Sequence, residues 1–371
     1  MGKAIDNSSH TNYSKVLYHG GNVIQEAARL GINPNNILDA SASIVPFQQP
    51  QEIIDCLLQT INGIELRSYP DAHHSKLRES IAKWHNVSPS MILPGNGAAE
   101  LITWAAREAS TYGFSTLPSP GFSDYRRALK CWNSSYQELS LPLTWRSDFP
   151  EPFPLQSNLN VIWITNPHNP TGQLWSRSSL EKLLKKQTLV ICDEAFLPLV
   201  PNGEKESLIP LVPYHKNLIV IRSMTKLFAI AGLRLGYAIS NSERLEEWQR
   251  LRDPWPLNAM AIAIGSMIMN NDVIIKNQIN KIATWILEDG HWLHINLQTL
   301  KGIKAYPSSV NFQLIQSKNS LINLRERLAQ KGILVRDCRS FKGLGESWLR
   351  ISLQTKDDNK RIIKEMKHIL N

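Results

Sequence analysis

From about residue 90 to residue 240, short apolar runs alternate with stretches of helical periodicity, and this alternation restricts the fold more than any other feature. Val161-Ile162-Trp163-Ile164-Thr165, Leu189-Val190-Ile191-Cys192 and Leu218-Ile219-Val220-Ile221 are apolar runs of strand length. Separated by helical stretches, such runs predict an α/β fold: a mainly parallel sheet with helices on both faces. Doubly wound sheets gather their ligands beyond the carboxyl ends of the strands, and polar, chemically capable residues follow each of these runs. Asp253-Pro254-Trp255-Pro256-Leu257-Asn258 then breaks the pattern ahead of a long helical region. Beyond it, strands at Val310–Ile315, Ile333–Val335 and Trp348–Leu353 mix with helices near 320–331 and 357–370, as in a smaller α+β domain. The expected division is an amino-terminal arm contributing to the small domain (1–45), a large domain (46–258) and a small carboxy-terminal domain (259–371).

The segment after the third run reads Ser223-Met224-Thr225-Lys226-Leu227-Phe228-Ala229-Ile230-Ala231-Gly232-Leu233-Arg234. A lysine set among hydroxyl, glycine and apolar neighbours, with a second cation nearby, loses its proton more readily through partial desolvation and charge repulsion. It is then a nucleophile able to form a Schiff base with an aldehyde. Ser223 and Arg234 beside it suit a phosphate. An aldehyde and a phosphate on one ligand describe pyridoxal 5′-phosphate, and that cofactor makes further demands on the chain.

Its pyridine nitrogen needs an acid, because the ring draws electrons only when protonated; Asp193, closing the second run, is the candidate. Its phenolic oxygen needs a donor. Asn166-Pro167-His168-Asn169-Pro170-Thr171-Gly172 follows the first run, and its two Asn-Pro pairs stop helix or strand from continuing, so Asn169 aims its amide at one place. The phosphate needs a cup: Pro94-Gly95-Asn96-Gly97-Ala98-Ala99-Glu100-Leu101 is a glycine turn entering a helix, where the amides of Gly97, Ala98 and Ala99 and the helix dipole favour an anion. Charge-assisted bonds from Ser223 and Arg234 complete it. Phe122, in Ser119-Pro120-Gly121-Phe122, is the aromatic expected over the ring face.

In their order along the chain, these constellations resemble the fold-type I pyridoxal phosphate enzymes of the class I and II aminotransferase superfamily, over roughly His19 to Leu353. By that resemblance Tyr69, in Ser68-Tyr69-Pro70-Asp71, reaches the cofactor phosphate of a neighbouring subunit, which implies a homodimer. Arg350, in Trp348-Leu349-Arg350-Ile351-Ser352, matches the arginine that grips the substrate α-carboxylate, and Gly236-Tyr237-Ala238-Ile239 matches an antiparallel strand. Tyr18-His19-Gly20-Gly21-Asn22 and the stretch Gly332-Ile333-Leu334-Val335-Arg336-Asp337-Cys338 to Gly345 are similar to the threonine-phosphate decarboxylases of cobalamin synthesis. The second stretch is shared more loosely with histidinol-phosphate aminotransferases. The first likeness implies decarboxylation of L-threonine O-3-phosphate to (R)-1-aminopropan-2-yl phosphate; the alternative is a histidinol-phosphate-type or other class I/II aminotransferase. Both act on a small phosphorylated amino acid or amine, so a second anion site is implied, with His19 and Arg336 as candidates. Phe196 stands where many aminotransferases have a tyrosine donating to the cofactor, and Ser43 and Val45 stand where both families tend to have asparagines.

A formal charge of +9 raises the possibility of nucleic acid, but no Lys/Arg run or aromatic-interleaved basic patch accompanies it, so none is expected. Cys56, Cys131, Cys192 and Cys338 are scattered without a Cys-x-x-Cys pair, which disfavours disulfides and metal. The longest apolar stretch, Ala259 to Met269, carries Gly265 and Ser266 and is short of a span; with no hydrophobic signal core at the amino terminus, no membrane and a cytoplasmic location are expected. The few residues before Tyr18 leave no room for a helix-turn-helix, so an enzyme is expected rather than a regulator.

Overall fold

The computed structural model describes residues 20–371. In chain order the described strands are β1 (Leu38–Ala40), β2 (Ile92–Asn96), β3 (Ser115–Ser119), β4 (Tyr136–Ser140), β5 (Val161–Thr165), β6 (Leu189–Asp193), β7 (Leu218–Ser223), β8 (Leu235–Ser240), β9 (Ile303–Ala305), β10 (Phe312–Ser317), β11 (Ile333–Asp337) and β12 (Trp348–Ser352). The described α-helices are α1 (Val23–Leu30), α2 (Gln51–Asn62), α3 (Ser75–His85), α4 (Gly97–Ser110), α5 (Ser123–Cys131), α6 (Arg177–Leu184), α7 (Ser242–Leu251), α8 (Ala259–Met269), α9 (Asp272–Trp285), α10 (His291–Gln298), α11 (Ile322–Gln330) and α12 (Lys356–Leu370).

Seven strands form one sheet in the order β2-β8-β7-β6-β5-β3-β4. β3 to β7 run parallel, and β8 is antiparallel to both its neighbours. The expected mainly parallel sheet and the antiparallel strand at Gly236–Ile239 are therefore both present. Side chains alternate across a strand, and the central strands divide their apolar residues accordingly. Val161, Trp163, Leu189, Ile191, Ile219 and Ile221 face a core completed by α4, α5 and α7. Ile162, Ile164, Val190, Cys192, Leu218 and Val220 face a second core, with Leu77 and Ile81 of α3, Leu180 of α6 and Ile264 of α8. Both faces are thus covered, which is why these strands read as unbroken apolar runs rather than alternating ones.

The second sheet runs β1-β11-β12-β10-β9. β1, near the amino terminus, pairs parallel with β11, so the two ends of the sequence share this sheet. α11 and α12 cover it with Leu324, Leu328, Ile362 and Met366, each such fully buried aliphatic contributing about 1.5–3 kcal/mol. Ala259–Met269 is a helix packed on α2 and α3. No single helix among the described residues is long and apolar enough to cross a membrane, and Cys56, Cys131, Cys192 and Cys338 are free.

Candidate functional site

The alternation that builds the two cores also selects what reaches the strand ends. On β5, β6 and β7 the series 161-163-165, 189-191-193 and 219-221-223 place Thr165, Asp193 and Ser223 on one face, and Thr165 and Asp193 are direct partners in register. Their sequence neighbours point to the other face. There Arg222 is buried against Glu194, its Nε 2.9 Å from Oε2, and its two terminal nitrogens reach Glu204 at 2.7 and 2.9 Å. Burial pulls the Arg222 guanidinium down, but Glu204 and Glu194 outweigh it and hold it above its ordinary value.

A cavity of about 260 Å³ opens on the Thr165-Asp193-Ser223 face. α4 starts at its wall, where Gly97 has φ +74°, a conformation that favours glycine. A Cβ on Gly97 would lie 2.5 Å from Nη2 of Arg234, and one on Gly236 would lie 2.7 Å from the amide nitrogen of Ala98. Both glycines therefore let a guanidinium and a strand close around a helix start whose first amides have no acceptor within the helix. Ala98, Ala99, Ser223 and Arg234 line this end.

Lys226 lines the cavity from the loop after β7. Burial pulls its amine down to about 8, helped by the guanidinium groups of Arg350 and Arg234 and opposed by Asp193. Its Nζ lies 5.4 Å from the ring centroid of Phe196. Asp193 accepts from the Ala195 amide at 2.9 Å and from the Tyr125 hydroxyl at 2.8 Å. Burial raises its carboxyl, and those two donors work against the rise.

The second sheet contributes two arginines. Arg336 on β11 and Arg350 on β12 are paired in register, and both line the cavity. The Arg350 guanidinium carbon lies 4.7 Å from the ring centroid of Phe312 and 5.9 Å from that of Phe341. It donates from Nη1 to Oδ1 of Asn169 at 2.5 Å and from Nη2 to the Ser41 carbonyl at 3.3 Å, while its buried Nε has no partner among the described residues. Because a guanidinium only donates, this contact fixes the amide of Asn169 with its NH₂ as the free end. Burial, with Arg336 beside it, lowers the Arg350 guanidinium to about 9. Arg336 donates to the Ser340 hydroxyl at 2.6 Å.

Of the residues singled out from sequence, Ala98, Ala99, Phe122, Asn169, Asp193, Ser223, Lys226, Arg234, Arg336 and Arg350 converge on this cavity, and Gly97 adjoins it. Tyr69 does not line it; it is 80% exposed, against Trp255 at 4.5 Å between ring centroids. His19 lies outside the described residues. Sequence reasoning missed Tyr125 and Thr165. The i, i+3 spacing of Phe122 and Tyr125 at a helix start was the available signal, because it puts both rings on one face. Ser43 is buried in the cavity wall and shares a 2.9 Å hydrogen bond with Ser352, and Val45 packs in the core. Among the described residues no group of three or more His, Cys, Asp or Glu side chains is placed to hold a metal ion.

Comparison with known proteins matches residues 33–366 to the family described as aminotransferase class I and II. A threonine-phosphate decarboxylase of Salmonella typhimurium is 30% identical over 361 residues, 95% of this chain and 96% of that protein. A histidinol-phosphate aminotransferase of Caldanaerobacter subterraneus is 30% identical over 334 residues, 89% of this chain and 92% of its own. The crystal structure of an L-threonine-O-3-phosphate decarboxylase from Porphyromonas gingivalis superposes with a TM-score of 0.78 at 25% identity, covering 89% of this chain and 98% of that one.

Proposed function

The chain belongs to the aminotransferase class I and II family, and from that premise we propose that it decarboxylates L-threonine O-3-phosphate to (R)-1-aminopropan-2-yl phosphate. It is a pyridoxal 5′-phosphate enzyme. The cavity suits that cofactor. A cradle that a Cβ on Gly97 or Gly236 would fill is held open beside Arg234, and the buried carboxylate of Asp193 lines the same cavity as Lys226. The phosphate would be held by the amides of Gly97, Ala98 and Ala99 with Ser223 and Arg234. The ring would rest against Phe122, with Asp193 at its nitrogen and the free NH₂ of Asn169 at its phenolic oxygen. When bound, the cofactor supplies an electron sink for the bond broken at the substrate α-carbon.

The chain's own residues then divide the work. Lys226, its amine lowered to about 8, would be the group that tethers the cofactor's aldehyde and, once freed by the substrate amine, would carry a proton to the substrate α-carbon. Arg350 takes the substrate carboxylate, and Arg336, with His19, takes its phosphate. Phe312 and Phe341 keep water from the Arg350 face, so its charge acts at low dielectric.

The observation that carries this reading is the registered pair Arg336 and Arg350 in one cavity with Lys226: two buried cations for a substrate bearing two anions. Histidinol phosphate carries one anionic group but its amine acceptor 2-oxoglutarate carries two, so its transamination is the second reading, favoured also by the aminotransferase relative at equal identity. Homodimerisation and a cytoplasmic location belong to the proposal. Exposed Leu58, Ile61, Ile64 and Leu66, close in sequence to Tyr69, support a partner covering this face. The purified protein is assayed with O-phosphothreonine and, separately, with histidinol phosphate plus 2-oxoglutarate. Carbon dioxide and aminopropanol phosphate from the first are expected; amine transfer from the second alone replaces the proposal with the aminotransferase reading.

A further inference from the structure

Asp193 is held by more than its strand. Its Oδ1 accepts from the Ala195 amide and its Oδ2 from the Tyr125 hydroxyl, which also meets the Thr165 hydroxyl at 2.8 Å. Thr165, Asp193 and Tyr125 are all buried, at 3, 5 and 1% exposure, so water does not compete for these bonds. The hydroxyls own one proton each. An ionised Asp193 only accepts, so Tyr125 must donate to it and Thr165 must donate to Tyr125. A protonated Asp193 would reverse both bonds. The chain of three therefore has two directions, and a cation at the open side of the carboxylate selects the first.

We propose that Tyr125 is a positioning residue that keeps Asp193 ionised and aimed at the cofactor's ring nitrogen, with Thr165 fixing the direction of the tyrosine's proton. This rests on the pyridoxal phosphate assignment made above. The charged groups facing Asp193 from neighbouring elements are Asp124 on α5, which is paired with Arg127, and Lys226. Neither is hydrogen-bonded to it in the described structure, whereas Tyr125 is. The tyrosine ring is anchored apart from its hydroxyl, 5.0 Å from Trp163 and edge-on to Phe122 at 5.5 Å between centroids. Removing the oxygen alone therefore leaves that packing in place.

The test compares holoenzymes loaded with pyridoxal phosphate or with its deaza analogue, in which a CH group replaces the ring nitrogen. The dissociation constant of each is measured by equilibrium dialysis for wild type, Tyr125→Phe and Thr165→Val. A bond to a charged group is at stake, so Tyr125→Phe weakens pyridoxal phosphate about tenfold or more, while the deaza analogue, which has no nitrogen to protonate, changes by about twofold or less. Thr165→Val shifts pyridoxal phosphate in the same direction by less, and carries the test alone if the phenylalanine variant does not fold. Equal weakening of both loads, or no change in either, overturns the inference. Wild-type protein that retains neither load overturns the cofactor assignment and this inference with it, and that failure shows before any substitution is made.

Discussion

Replacing Lys226 with methionine should stabilise the protein freed of cofactor. The lysine amine falls from its ordinary 10.5 to about 8 in the folded chain, chiefly through burial, with Arg350 and Arg234 adding repulsion. At about 1.4 kcal/mol per pH unit, that drop means the folded state carries ~3 kcal/mol of unfavourable charge at pH 7. Lys226→Met keeps the aliphatic stem and removes the charge. The contact with the Phe196 ring, 5.4 Å from Nζ, is lost as well and returns ~0.5–1 kcal/mol. Partial exposure of the side chain trims the figure further, so the variant should gain about 2 kcal/mol at pH 7. The sign follows from proton uptake. Between about 8 and 10.5 the unfolded chain binds more protons at this site than the folded one, so wild-type stability climbs with pH across that window. The methionine variant has no such climb, and its advantage should disappear near pH 10. Urea unfolding of the two cofactor-free proteins at pH 7, 8.5 and 10 reads this directly, because all other titrating groups are common to both. An advantage that stays constant or grows with pH would refute the reasoning, as would a wild type more stable than the variant at pH 7.

Three further outcomes are expected. Arg222→Met removes the partner of fully buried Glu194 and should cost ~3–5 kcal/mol by urea unfolding, whereas changing the exposed Lys216 of its pair with Glu243 should cost under about 1 kcal/mol. Gly236→Ala drives a methyl to 2.7 Å from the Ala98 amide nitrogen and 2.8 Å from the Arg222 carbonyl oxygen; it should destabilise the protein by ~1–3 kcal/mol and weaken cofactor retention on dialysis. Arg336→Gln should lower kcat/KM for O-phosphothreonine by about 10- to 100-fold, mostly through KM, as expected for loss of one charge-assisted contact; an unchanged KM in steady-state assays would remove Arg336 from the proposed phosphate site.

The central sheet was legible because β5, β6 and β7 are buried on both faces and so carry uninterrupted apolar runs. Lys226, Asp193 and Asn169 were legible because each closes or follows such a run, and their chemistry is uncommon there. Gly97 announced a turn, and the structure gives the reason in its φ and in the guanidinium of Arg234. Tyr125 was hidden because a tyrosine inside an amphipathic helix reads as core until its hydroxyl is seen against Asp193. Arg222 was hidden because a lone arginine between apolar residues and a serine gives no hint of Glu194 and Glu204, which lie 28 and 18 residues away in sequence. Ser43 was singled out for what it replaces; its bond to Ser352 joins residues 309 apart, a distance no local pattern spans.

Asp193 and Glu194 are consecutive, as are Arg222 and Ser223, yet each pair is split between opposite faces of the sheet. Deleting one residue from β6 would carry Glu194 into the place of Asp193, one methylene too long, and in the same stroke take from Arg222 one of its two carboxylate partners, leaving only Glu204. Two neighbouring codons thus hold two unrelated chemistries apart by parity alone, and an insertion or deletion within these strands damages both at once where a point substitution damages one.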